Sequence, residues 1–248
     1  MASSSAPAGG NSALPPEHRD ALSALAADLR RIFGVDLRAL VAYGLELDSS
    51  DEAVHTLALV ERVTFDHLAA CAPVTANWLR SGIAVPLLIS RGEFARTLDV
   101  FPLEYHAIIS DHIVIEGTDP FAGLEVPESD LRRACEQQAK SHLIHLREGF
   151  LEGSREPRAV ARLIASSAPG FRILLVNIAT LDGTGAPRGD GEIAAAAEQT
   201  IGIPATLVRE VLAYAREGST ATDPTALLAR YLESVEEVWN YVDRWRPT

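Results

Sequence analysis

The stretch GTDPFAGLEVPESD, residues 117–130, marks the change in hydrophobic period that most constrains this 248-residue chain. Beyond it every apolar pattern has helical spacing, while before it short apolar runs of strand length alternate with helical ones. Its own Pro, Gly and acidic composition is that of a linker. The chain is therefore expected to divide near residue 126. An α+β domain, a mixed sheet flanked by helices, should span 17–126, and an all-α helical bundle should span 127–248. The first 16 residues, MASSSAPAGGNSALPP, lack the basic and apolar segments of a signal peptide and read as a loose tail.

In the first half, Leu22, Leu25, Leu29, Ile32 and Phe33 recur at helical spacing after Pro16 and before Gly34. Two strands are expected next, Arg38–Tyr43 and Leu57–Val63, on either side of a turn holding Glu46, Asp48, Asp51 and Glu52. Thr64 or Asp66 can cap a helix over Phe65–Arg80, with Pro73 as a kink and Gly82 beyond its end. IAVPLLIS reads as a third strand in which Pro86 marks an edge or bulge. Ser90 and Glu93 form a capping box in sequence, predicting a helix over Arg91–Leu98. FPLEYHAII and HIVIEG read as further strand-like pieces.

The second half predicts one long helix over SDLRRACEQQAKSHLIHLREGFLE. EPRAVARLIASS and FRILLVNIATL follow as two pieces broken at Pro169-Gly170, then GEIAAAAEQTIG and a helix opened by Pro204. The last helix carries Leu227, Tyr231, Leu232, Val235, Val238, Trp239, Val242 and Trp245 on one broad face. Trp239, Tyr241 and Trp245 read as bundle core or docking surface rather than a ligand cage. An apolar excess there would support a homo-oligomer through the helical domain.

An apolar share of 47% rules out wholesale disorder. No apolar run approaches the roughly 20 residues of a membrane span, so no membrane partner is expected. Cys71 and Cys135 form no framework, which fits a reducing cytosol and a cytoplasmic protein. The net charge of −12 is uneven, −9 over residues 1–127 and −3 over 128–248, so a nucleic-acid partner would be repelled and is not expected.

Helix, strand ending in Tyr43-Gly44, acidic turn and second apolar strand together resemble the core of the nucleotidyltransferase superfamily. That group includes the aminoglycoside-modifying enzymes, poly(A)-type polymerases and minimal nucleotidyltransferases. SGIAVPLLISRGEFARTLDVFPLEYHAII, the GTDPFAGL turn and LRRACEQQAKSHLIHLREGFLE are similar to a bacterial branch with a helical C-terminal domain. The likeness covers residues 17–153 and, more loosely, the rest. It implies in-line displacement at a nucleotide α-phosphate, assisted by two Mg²⁺ ions about 3.5–4 Å apart. The family motif is Gly-Ser followed by Asp-x-Asp, whose two acids share one strand face. Matched onto this chain, Gly44 keeps the glycine and Leu45 replaces the serine. Thr56 and Ala58 replace the aspartates, and the strand expected to supply a third acid, Ile83–Ile89, contains none. The resemblance therefore implies a degenerate motif, no catalytic residue and no resident metal. The expected role is binding of a nucleotide or protein partner. An active but atypical transferase would need Glu46, Asp48, Asp51 or Glu52 to rebuild a Mg²⁺ site, and a structural or antitoxin-like partner is a third reading.

Arg133, Lys140 and Arg147 recur every seven residues on the long helix, so they share a face. They are candidates for phosphate binding, set against pairing with acids or plain solvation. His142 and His145, three apart, with His106 and His112 upstream, lack the partner pattern of a metal site. Arg62-x₄-His67 has the shape of a helical RNase pair but falls at a strand end. Gly183-Thr-Gly185 sits in a polar loop between helices and is no phosphate loop.

Overall fold

Leu22, Leu25, Leu29 and Phe33 form the buried stripe of helix α1 (Pro16–Phe33), and the first sheet is built against that stripe. The computed structural model describes residues 16–44, 53–153, 156–183, 185, 187, 189–217 and 222–246. Leu45 and the acids Glu46, Asp48, Asp51 and Glu52 lie outside the described residues. The chain divides into two compact units, Met1–Val126 and Pro127–Thr248.

The first unit continues through β1 (Leu37–Tyr43), β2 (His55–Val60), α2 (Phe65–Arg80), β3 (Leu87–Ser90), α3 (Arg91–Thr97), α4 (Pro102–Ser110) and β4 (His112–Gly117). The sheet order is β3-β2-β1-β4, with β1 antiparallel to both neighbours and β3 parallel to β2. Thr64 caps α2 by accepting the His67 N–H, and Pro73 lies on the exposed face, where the carbonyl it leaves unbonded can be hydrated. Trp78 of α2 donates to Asp28 of α1 at 3.0 Å. Arg31 and then Trp78 hold the Asp28 carboxyl below its ordinary range, against the opposing pull of burial. Both halves of the Ser90–Glu93 capping box are present at the start of α3.

Three expectations need correction here. The second strand stops at Val60 rather than Val63. The third begins only at Leu87, because Pro86 cannot donate to a ladder; before it a single bridge joins Val54 to Ile83. FPLEYHAII is helical, not extended: Pro102 occupies the first turn of α4, and Pro102, Tyr105 and Ile108 turn to the core at helical spacing.

The second unit is helical throughout its described elements: α5 (Glu128–Glu152), α6 (Pro157–Leu181), α7 (Asp190–Thr200), α8 (Ala205–Glu217) and α9 (Pro224–Arg244). The expected break at Pro169-Gly170 does not occur. Val160, Ile164, Ala168, Phe171, Leu174, Leu175 and Ile178 form one continuous buried stripe, and its burial outweighs the roughly 3 kcal/mol an interior proline costs. Pro169 itself points outward. As one helix, α6 is long and apolar enough, by length and composition, to cross a membrane. Here it is the central helix of the bundle, packed against α5, α7, α8 and α9. Cys71 and Cys135 are free and buried, and burial pushes the Cys135 thiol up to about 12.

Candidate functional site

Strand alternation decides what β2 can present. Val54, Ala58 and Val60 join Leu40 and Ala42 in the core against α1 and α2, and Thr56 shares their parity. Thr56 is 1% exposed and Ala58 0%, so the structure turns both motif positions into the α1/α2 core. The Thr56 hydroxyl oxygen is buried with no hydrogen-bond partner among the described residues. Replacing that hydroxyl by a methyl removes an uncompensated desolvation cost. Thr56→Val is therefore expected to raise the unfolding free energy by about 1 kcal/mol, read from urea denaturation. A fall of similar size would show that the hydroxyl has a partner.

The opposite face carries His55, Leu57 and Leu59. At the end of β1 a row crosses three strands, because Tyr43 is the register partner of both His55 and His112. The rings of Tyr43 and His55 stack at 5.8 Å, and burial raises the Tyr43 phenol above its ordinary value. His112 places Nδ1 3.2 Å from the Ile109 carbonyl and Nε2 3.1 Å from Asp119 Oδ1, and its ring meets Phe121 edge-on at 4.9 Å. Asp119 Oδ1 also accepts the Phe121 N–H at 2.8 Å. Beyond the row Gly44 takes φ +66, a conformation suited to glycine, and its N–H reaches the Asp111 carbonyl at 3.4 Å. The row holds two imidazoles, a phenol and a carboxylate committed to His112. β2 itself offers no carboxylate on either face. Among the described residues no group of three or more His, Cys, Asp or Glu side chains could hold a metal ion.

In the second unit α5 and α9 enclose a groove of about 700 Å³ lined by Arg133, Glu136, Gln137, Lys140, Ser141, Ile144, His145 and Trp239. Lys140 Nζ stands 3.5 Å from the centre of the Trp239 ring. Arg133 pairs with Asp130 at 2.8 Å, and Arg147 lies 3.5 Å from Glu236 and does not line the groove. Two of the three candidate cations thus meet in one concave surface. The two histidines of α5 separate in role. His142 bonds Tyr231 in the bundle, whereas His145 faces Glu148 at 3.3 Å on the surface. His67 rests against Phe33, far in character from an RNase acid–base pair, and Arg62 is exposed. Trp239, Tyr241 and Trp245 are half-buried and line grooves, while Leu227, Tyr231, Val235, Val238 and Val242 fill the core. Of the Gly183–Gly185 turn, only the glycines are described, both at positive φ.

A mixed four-stranded sheet with flanking helices, followed by a helical region, is a nucleotidyltransferase-like α+β fold. Among solved structures it is similar to a spectinomycin adenyltransferase of Enterococcus faecialis, solved with ATP and spectinomycin. The TM-score is 0.54 and the identity 12%, over 91% of this chain and 99% of that one, so the likeness is one of fold. No protein-family model and no curated protein matches the chain.

Tyr43, His55 and Asp119 were not legible as a group in sequence. β2 is apolar on both faces, so alternation alone does not say which side faces the helices. The signal available was local: Tyr43 immediately precedes the one glycine of the strand–turn junction.

Proposed function

We propose that this nucleotidyltransferase-fold protein does not carry out metal-dependent transfer and acts by binding, with a nucleoside triphosphate as its ligand. The observation that carries this reading is β2. His55, Leu57 and Leu59 on one face and Thr56, Ala58 and Val60 on the other supply no anionic oxygen for a pair of Mg²⁺ ions. The ATP present in the similar adenyltransferase structure supports the choice of ligand. The groove between α5 and α9 suits such a ligand: Lys140 and Arg133 can face phosphate oxygens, and Trp239 offers a ring face to a base.

Calorimetric titration with ATP tests this. Lys140→Ala should weaken binding by about 10-fold, equivalent to roughly 1.4 kcal/mol. Arg147→Ala, outside the groove and paired with Glu236, should leave it unchanged. Equal losses in both variants, or none in either, would remove the groove from the account. The alternative, an atypical transferase whose acids Glu46, Asp48, Asp51 or Glu52 rebuild a metal site, would be marked by Mg²⁺-dependent pyrophosphate release.

A further inference from the structure

The outward side of α2 is apolar from end to end. Phe65, Ala69, Ala72, Ala76 and Leu79 follow one another at alternating steps of four and three residues, and all five are exposed. That spacing lines them up as one seam, on the side of the helix away from buried Cys71 and Trp78. Phe65 is 81% exposed and Leu79 53%, so the seam is covered by nothing among the described residues. A helix bordering water normally turns polar side chains to it, and an apolar face left there marks an interaction surface.

The seam is symmetric about Ala72. Its two large side chains stand seven residues to either side, and alanines fill the middle, where they let a second helix approach closely. Two copies of α2 laid antiparallel therefore bring Phe65 of each against Leu79 of the other. Charge supports the same direction. Asp66 and Arg80 each follow a seam position by one residue, so both lie on one flank, exposed at opposite ends of the helix. Neither meets an opposite charge among the described residues, and Arg80 bonds only the Asn77 amide oxygen. Antiparallel pairing sets that flank against its own counterpart, so Asp66 of each copy meets Arg80 of the other, twice by symmetry. An anionic membrane, the other taker of an apolar helix face, is opposed by the net charge of −12. The helix α9, whose sequence suggested self-association, exposes none of its large apolar side chains.

We infer that the protein forms a two-fold homodimer through α2 of its sheet-bearing unit, the two helices antiparallel and crossing at Ala72. One helix seam is a small interface, so the dimer is a reversible one, with Kd about 10 µM.

Sedimentation velocity of the full chain over a range of concentrations at physiological salt tests this, with urea midpoints confirming that each variant is folded. The wild type should pass from monomer to dimer as concentration rises. Ala72→Glu, at an exposed position that a good helix former can occupy, sets like charges together at the axis and should weaken the dimer by about 10-fold or more. Asp66→Arg should weaken it by about 10-fold, and adding Arg80→Asp should restore it to within about threefold. A monomer up to about 1 mM would overturn the inference, as would a dimer indifferent to Ala72→Glu. So would a double charge variant as weak as Asp66→Arg alone, or a monomer that floats with vesicles of neutral lipid, which would assign the face to a membrane.

Discussion

Gly117→Ala is expected to destabilise the sheet-bearing unit by about 3 kcal/mol or more. Gly117 closes β4 at φ +83, where an L-residue is strained by about 1–2 kcal/mol before any contact is counted. The added Cβ would also stand 2.1 Å from the Arg38 carbonyl oxygen and 3.0 Å from the Ala39 Cα. Both are backbone atoms of β1, so no rotamer change relieves the overlap. The strands must separate where the β1–β4 register already shifts between Leu40 and Val41. Separation would also pull Glu116 from Arg30, its partner across α1 at 2.5 Å. Urea unfolding followed by circular dichroism reads the loss. A wild-type midpoint would show that β4 does not close against β1 in this way.

The helical unit should lose about 2–3 kcal/mol between pH 7 and pH 4.5 through His142 alone. Burial, and secondarily His145, lowers this imidazole to about 4 in the folded chain, against 6.5 for an ordinary histidine. Between those values the unfolded chain binds the extra proton and the folded chain does not, so stability falls as pH falls. The contribution is complete above about 6.5 and fully lost below about 4. The mechanism is local. A second proton on the ring would place a cation between Phe171, whose ring stacks at 6.0 Å, and the Tyr231 hydroxyl, which burial keeps from ionising. Unfolding measured at both pH values in the wild type and in His142→Gln checks this. The glutamine variant should lose 2–3 kcal/mol less than the wild type over the same interval, and parallel losses would assign the slope to other groups.

What could be read from sequence was whatever depends on neighbours along the chain. Thr64 and the Ser90–Glu93 box are contacts within four residues, and they placed α2 and α3 to within one residue. Pro102 carried an equally local signal, but the dense apolar run after it imitated a buried strand. Pro169 misled for the opposite reason: its cost is local, whereas the stripe from Val160 to Ile178 that outweighs it acts only once the bundle is packed. The candidate site depends still more on distance. Tyr43, His55 and His112 become neighbours through register across β2, β1 and β4, and no spacing in the chain encodes that. The inward turn of Thr56 was hidden because β2 is apolar on both sides. The cationic stripe was visible as a seven-residue repeat, but only tertiary packing separates Lys140 on Trp239 from Arg147 on Glu236.

Titration of the pure protein with ATP, once in excess Mg²⁺ and once in a chelator, addresses the question on which the functional reading turns. If β2 has no acid to share with a divalent ion, the two affinities should agree within about threefold and pyrophosphate should stay at background in both. Binding that needs the metal, accompanied by pyrophosphate appearing with turnover, would mean that this sheet still does chemistry.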